Sequence, residues 1–541
     1  MKRRKFLQLS ALSSTSALFL NGHKVQALTQ SSFLNQIPEH VIDGRSLVLI
    51  QLRGGNDGLN TLVPYNQYDD YAAMRPTIKL QEIGPNAAYQ LDTTLSLDSQ
   101  MLLHPSLTGF KTLYDAGKMN IIKAVGYPTL NKSHFAGRAL MFKGGDGTPI
   151  NANKTNGWMA RFLHSGYDHT TYEDPLGIQL GSRKPSLGFH SEHEHKVDIN
   201  LTGQDVSGYY NTISNIGNPI PPFVPETDHG ENINFVNSTE IATNLYSERI
   251  STVFNAGSNQ GVYSDTNLSD QLKTVARLIK GGAKTKIYLV TTDGYDTHAD
   301  QVADSANSHT GTHADLLSEL SNAMLEFQTD LELMGLDEKV ITSTFTEFGR
   351  KPYENGSLGT DHGTLGPMFV IGKYVKPGIR GTNLDLSQVN IHFEETAMQH
   401  DYRQVFSTLI ADFLGASSDV ILQTEFEDFD EDQKIDLIQD AQVVDTALSI
   451  SNAQILTKSV ACFPNPILSD CTLRFESQFN FEITLQCYDL NGRLVFTLIK
   501  SVVSGLNFIE LDLKSLKKGN YVLALKDNSL KLIASKHLIK M

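Results

Sequence analysis

Residues 314–350 read "ADLLSELSNAMLEFQTDLELMGLDEKVITSTFTEFGR". Leu317, Leu320, Met324, Phe327 and Leu331 recur every three or four residues, which predicts a helix with one apolar stripe. After Gly335 the pattern changes to "KVITSTFTEF" (339–348), a short β-branched run of the kind that forms a strand covered on both faces. "TKIYLVTT" (285–292) is a similar run, so strand, helix and strand follow in order. That order implies a right-handed crossover and a largely parallel sheet. "SLVLIQL" (46–52), "MNIIKAVG" (119–126) and "GPMFVIG" (366–372) extend the sheet, and "YRQVFSTLIADFLG" (402–415) supplies another helix, stopped at Gly415. We read 45–425 as a doubly wound α/β domain whose functional groups gather at the carboxyl ends of its strands.

With 541 residues, 40% hydrophobic and 19% charged, the chain has length for one large core and a smaller module. Its charge of −15 is uneven. Residues 1–24 hold five Lys/Arg and no acid, and 458–541 hold eleven Lys/Arg against seven acids, so the body between is strongly acidic. Such a body repels phosphate backbones, which argues against a nucleic-acid partner. "MKRRKFLQLSALSSTSALFL" sets basic residues before a short Ser-rich apolar stretch, and with "VQA" at 25–27 it reads as an export signal over 1–27. Arg3 and Arg4 before Lys5-Phe6-Leu7 resemble a twin-arginine signal; an ordinary secretory signal is the alternative. No other stretch reaches about 18 apolar residues, so no transmembrane segment is expected in the mature chain. Cys462, Cys471 and Cys487 all lie near the end, which excludes a Cys-based zinc site or a Cys nucleophile in the body. Cys462 and Cys471 could pair, leaving Cys487 buried and inert.

The acidic run "EFEDFDEDQKID" (425–436) and the polar residues after it mark a linker over 426–457. Beyond it the period changes to two, in "CTLRFE", "FEITLQCYDL", "RLVFTLI", "NFIELDL" and "NYVLALK", and Asn491-Gly492 is a hairpin signal. A small β-sandwich over 458–541 follows.

Four strand ends carry candidate chemistry. Gly54, Gly55, Asn56, Asp57 and Gly58 stand where the first strand stops; glycines let backbone approach a ligand, and the carboxylate could hold a cation. "TDGYDTHADQ" offers Asp293, Asp296 and His298, donors that suit zinc or manganese, with helix- or turn-capping as the plainer role. Glu347 could be a ligand or base, Arg350 could hold an anionic group, and Asp361 with His362 could be ligand and orienter. The plainer reading pairs Glu347 with Arg350. Ser133, just before an apparent helix, is either a nucleophile or an N-cap, and no G-x-S-x-G elbow supports a serine hydrolase. "FHSEHEHK" (189–196) lacks a helical spacing of His190, His193 and His195 and reads as a solvated loop, and His309 and His313 have no assigned role.

The terminal module resembles the C-terminal sorting domain of the type IX secretion system, in Phe463-Pro464-Asn465-Pro466, "YDLNGRLV" (488–495) and "LKKGNYVL" (516–523). The resemblance implies an export translocon and the outer-membrane type IX machinery as partners, and a secreted or cell-surface location reached through the periplasm. A sandwich that binds carbohydrate or protein is the alternative.

"LRGGNDGLN", "NKSHFAGR", "GYDTHADQ", "TEFGR", "GTDHGTLGP" and "DYRQVFSTLIADFLG" together resemble the exported domain-of-unknown-function family 1501 over about 45–420. That family is placed in the alkaline phosphatase and sulfatase-like superfamily. The resemblance implies a doubly wound, mostly parallel sheet of alkaline phosphatase-like type, one or two divalent metals at strand ends, and attack on phosphate or sulfate esters through Ser or Thr. On this pattern Asp57 takes the place of the first-strand carboxylate and Ser133 that of the nucleophile. Asp296 or Asp293, with His298, resembles the Asp and His of the first metal, and His362 the late metal-binding His. Glu347-Phe348-Gly349 stands where the superfamily has Asp-His-Gly, so one imidazole is missing. Asp361 or His134 would replace it, or one metal would suffice.

The expectation is therefore an exported metal-dependent hydrolase of phosphate or sulfate esters, using zinc, manganese or calcium. Ser133, Glu347 and Arg350 are its candidate catalytic groups, and Asp57, Asp293, Asp296, His298, Asp361 and His362 its candidate metal ligands. The alternative is a secreted protein on the same fold that binds a surface glycan or partner without turnover.

Overall fold

Apolar runs too short for helices and rich in β-branched residues become the centre of a nine-stranded sheet. In the computed structural model the described residues run from 18 to 540, leaving out 21–22, 26–43, 149–153, 168–173, 192–197, 202–245, 390–397, 440–455, 527–531 and a few shorter stretches. The export signal expected over 1–27 falls outside them, apart from the paired strands Leu18–Leu20 and His23–Val25. His193 and His195 also lie outside. The chain divides into two units, residues 33–441 and residues 442–541 together with 1–32.

In chain order the sheet strands of the larger unit are β1 (Ser46–Leu52), β2 (Met119–Gly126), β3 (Gly177–Leu180), β4 (Asp198–Leu201), β5 (Ile287–Thr292), β6 (Val340–Phe345), β7 (Gly366–Ile371), β8 (Gly378–Arg380) and β9 (His400–Asp401). Across the sheet they run β8-β2-β7-β6-β1-β5-β3-β4, with β9 also paired to β2. β5 and β6 flank β1 in parallel, and β3 and β4 continue in the same sense. β7 alone is reversed, antiparallel to both β6 and β2. The sheet is thus mostly parallel, as expected, with one inversion that continuous apolar runs do not reveal.

Alternation along β1 sends Val48, Ile50 and Leu52 to one face and Leu47 and Leu49 to the other, each into a separate apolar cluster. The first cluster is covered by the helix Thr312–Leu333, whose predicted stripe residues Leu317, Leu320, Met324, Phe327 and Leu331 are all buried there, and by the helix Asn267–Lys280. The second is covered by the helices Trp158–Gly166 and Tyr402–Thr408, where Trp158 stacks on Phe406 at 5.0 Å. Helices on both faces make the sheet doubly wound. Each fully buried Leu, Phe or Met side chain stabilises by roughly 1.5–3 kcal/mol before entropy is counted. Phe426, Ile435, Leu437 and Ile438, from the stretch read as a linker, are buried in the second cluster.

In the smaller unit, Leu456–Phe463, Asp470–Ser477 and Gly505–Asp512 form one antiparallel sheet, and Leu494–Val502, Phe481–Asp489, Gly519–Lys526 and Leu532–Lys540 another. Leu473, Phe475, Leu485, Leu511 and Leu523 meet in its core. The tip residues of the predicted Asn491-Gly492 hairpin lie outside the description, but its two strands pair as expected. All three cysteines are free thiols; Cys471 and Cys487 are buried, and Cys462 is not bonded to Cys471 as the spacing would allow.

Candidate metal centre

The sheet brings five chain segments to one edge. β1 ends in Arg53-Gly54-Gly55, β5 leads to Asp296 and His298, and β6 leads to Glu347 and Phe348. β2 is followed by the helix His134–Lys143, which His134 begins. Because β7 is reversed, its amino end lies at this same edge, and the hairpin Arg350–Glu354 with Thr360–His362 delivers His362 just before it. Gly54 shows why glycine is needed where β1 ends: its φ is +126°, and a Cβ there would sit 2.2 Å from the Asp296 backbone nitrogen.

Asp296 is the hub. Its carboxylate lies 3.2 Å from His134 Nε2, 3.1 Å from His362 Nε2 and 3.3 Å from His298 Nε2. Each imidazole has its other nitrogen engaged. His134 Nδ1 is 3.0 Å from Glu347 Oε1, His298 Nδ1 is 3.3 Å from Asp361 Oδ1, and His362 Nδ1 is 2.8 Å from the Lys132 carbonyl. This is the arrangement by which outer carboxylates and carbonyls aim imidazoles at a metal. Ligand atoms of His134, Asp296 and His362 all lie within 4.8 Å of one another. Phe348 packs its ring beside His134 and His362, at 4.9 and 4.7 Å, walling the inner side of the cluster with apolar surface.

Within this cluster, two buried atoms of the described residues have no hydrogen-bond partner, His134 Nε2 and Glu347 Oε2. An unpartnered imidazole nitrogen facing a carboxylate and two further imidazoles fits a divalent cation. Two imidazole nitrogens and one carboxylate, with His298 Nε2 beside Asp296 as a further donor, suit zinc or manganese; calcium takes six to eight oxygens. Burial alone would raise the Asp296 carboxyl, but hydrogen bonds from Arg350 and then His362 outweigh it and hold it at about 2. The hydrogen bond to Glu347 raises His134, whereas burial lowers His362.

The structure sorts the candidate residues. Asp296, His298 and His362 converge, and His134, considered in the sequence only as a replacement, completes the ring. Its signal was its position, first in a helix reached from the carboxyl end of β2. Asp361 lies one shell out, behind His298. Glu347 lies behind His134 and also accepts from Gly54 N at 3.0 Å.

Arg350 pairs with Asp296 at 2.6 Å, not with Glu347. Its nitrogens also donate to the carbonyls of Gly54, Gly55, Tyr295 and Thr360, and its side chain is fully buried, so it holds the loops together. Asp57 is not in the cluster. It is wholly buried in a two-point pair with Arg75, at 2.6 and 2.9 Å, and accepts from Gln301 at 2.6 Å. Asp293 is exposed and pairs with Arg53 at 2.9 Å. Ser133 caps the helix His134–Lys143, accepting from Ala136 N, with its side chain in solvent. His313, given no role, is buried and bonded through Nε2 to Asn56 Oδ1 at 3.0 Å.

Residues 239–413 match the family described as Protein of unknown function (DUF1501), and residues 461–540 match the Secretion system C-terminal sorting domain. No curated protein matches the chain. Among solved structures, latent PorU from Porphyromonas gingivalis is 25% identical over 15% of this chain and 9% of its own, with a TM-score of 0.14. A protein in the alkaline phosphatase superfamily from Vibrio parahaemolyticus is 11% identical over 97% of this chain and 91% of its own, with a TM-score of 0.32. The PsFucS1 sulfatase from Pseudoalteromonas sp. is 10% identical over 90% and 87%, with a TM-score of 0.29. The sorting domain indicates secretion or a cell-surface location. Among the described residues no helix is long and apolar enough to cross a membrane.

Proposed function

We propose that the protein is an exported, metal-dependent hydrolase of phosphate or sulfate esters, delivered by the type IX secretion machinery. The observation that carries this reading is the ring of three imidazoles around Asp296, each imidazole held at Nδ1 by a second group. His134, His298, His362 and Asp296 would hold one zinc or manganese ion. Such an ion, when bound, polarises an ester oxygen and makes water more acidic.

The chain's own groups supply the rest. Asp296 stays ionised under the Arg350 guanidinium. Glu347 orients His134 through one oxygen and keeps Oε2 unpartnered, available to accept a proton from a water or hydroxyl in the site. Arg138 takes over the anion-binding role that Arg350 cannot fill. Its Nε bonds the His134 carbonyl at 3.0 Å, and no carboxylate among the described residues pairs with its terminal nitrogens. In this reading the attacking group is water, with Ser133 serving as the helix cap.

The test is elemental analysis of the purified protein, with turnover of p-nitrophenyl phosphate and p-nitrophenyl sulfate, for the natural chain and His298→Ala. The expected result is near-stoichiometric zinc or manganese, hydrolysis of one ester, and loss of both in the variant. Metal without turnover of either ester would favour the binding-protein reading. Absence of metal after zinc and manganese are offered would end the hydrolase reading.

A further inference from the structure

A cavity open to solvent lies beside the start of β7, between the Gly58–Leu62 segment and the Thr382–Leu384 loop. Leu59, Leu62, Met101, Pro367 and Leu384 give it apolar walls. Four polar side chains line it: Lys123, Arg350, Thr382 and Asn383. Arg350 is bonded to four carbonyls and to Asp296, whose charge it neutralises.

Lys123 differs. It sits in β2, is 5% exposed, and its Nζ donates to Asn383 Oδ1 at 2.9 Å. An ammonium has three donors, and the nearby Asp98 acts on this one only through space. A buried cation without a hydrogen-bonded anion is unfavourable unless a complementary charge arrives. Burial pushes the amine down to about 8, which leaves it mostly protonated at neutral pH.

The backbone beside it is also unusual. Ala124, another wall residue, has φ +50°, and the pairing of β2 with β7 slips between Gly366 and Met368. Such a bulge inside a sheet re-aims side chains and persists next to sites that use it.

We propose that this cavity binds a small carboxylate with an apolar tail, its head group on Lys123 and its tail against Leu59, Leu62 and Leu384. A single ammonium matches a monoanion. Arg350 borders both this cavity and the metal cluster, but the site uses none of the imidazoles and does not depend on the hydrolase reading.

The test is calorimetric titration of the full chain, in chelator so that the metal cluster cannot take up carboxylate, with decanoate and with decanol as its uncharged counterpart. Saturable decanoate binding at one site is expected, at least tenfold tighter than decanol. Lys123→Met should erase that difference with folding intact by circular dichroism. Leu384→Trp, which fills the cavity from an exterior loop, should abolish binding of both. His298→Ala should bind decanoate as the natural chain does. No saturable decanoate binding, or equal binding of decanoate and decanol by the natural chain, would overturn the proposal. That comparison stands even if Lys123→Met fails to fold.

Discussion

Asp57 and Asp296 each follow a sheet strand, yet Asp57 is wholly buried against Arg75 whereas the Asp296 side chain is 46% exposed among imidazoles. Sequence distinguishes them poorly, because Arg75 arrives from a helix, Tyr68–Met74, that carries no sign of its partner. Position relative to a strand was legible; the choice of partner was not, since it depends on packing between distant segments. The two carboxylates should therefore respond differently. Asp57→Asn leaves the Arg75 charge buried without its partner and should cost about 3–5 kcal/mol in denaturant unfolding. Glu347→Gln keeps the shape behind His134 and should instead weaken zinc affinity about 10- to 100-fold in a chelator competition, with little loss of stability.

His313 makes a prediction about acid. Burial pushes it down to about 4, and burial likewise lowers His104, which packs against it at 5.9 Å. The unfolded chain takes up the His313 proton near pH 6.5, whereas the folded chain resists until about 4. Stability is therefore complete above 6.5 and declines as pH falls toward 4, by roughly 3 kcal/mol from this group alone. Melting curves between pH 7 and 4 should show that decline, and His313→Gln should flatten it.

At the scale of elements, the central strands were legible because runs covered on both faces are continuous and apolar. The direction of β7 was not, because a buried strand reads the same whichever way it runs. Strands β3, β4, β8 and β9 escaped for a different reason: they are two to four residues long and too short to show a period. The loop after β1 was recognised by its glycines, and the structure gives their cause. Gly54→Ala demands both a positive φ and space occupied by the Asp296 backbone. It should destabilise the protein by more than about 1 kcal/mol in denaturant and reduce bound zinc, because Asp296 must move.

At the scale of the whole molecule, each of the two units has its own apolar core. The change of period from three or four to two announced this division, although the acidic stretch between hid Phe426 and Leu437, which belong to the larger core. Calorimetric melting of the full chain should resolve two transitions. A chelator should lower the transition of residues 33–441 and leave that of the sorting domain in place, since a ligand stabilises only the unit that binds it. In His298→Ala the chelator should have no effect.

The reversal of β7 has a consequence for how such a site can change. β6 and β7 are adjacent and antiparallel, so the twenty residues between them, 346–365, leave the sheet and return to it at neighbouring points. A crossover segment must span a fixed distance, but a segment whose two ends meet can lengthen or shorten without disturbing any strand. The tip of the hairpin carrying Asp361 and His362 is therefore free to vary in length. Changing the turn between Glu354 and Thr360 would alter what approaches the imidazole ring, while Glu347, Arg350, His362 and the sheet beneath stay as they are.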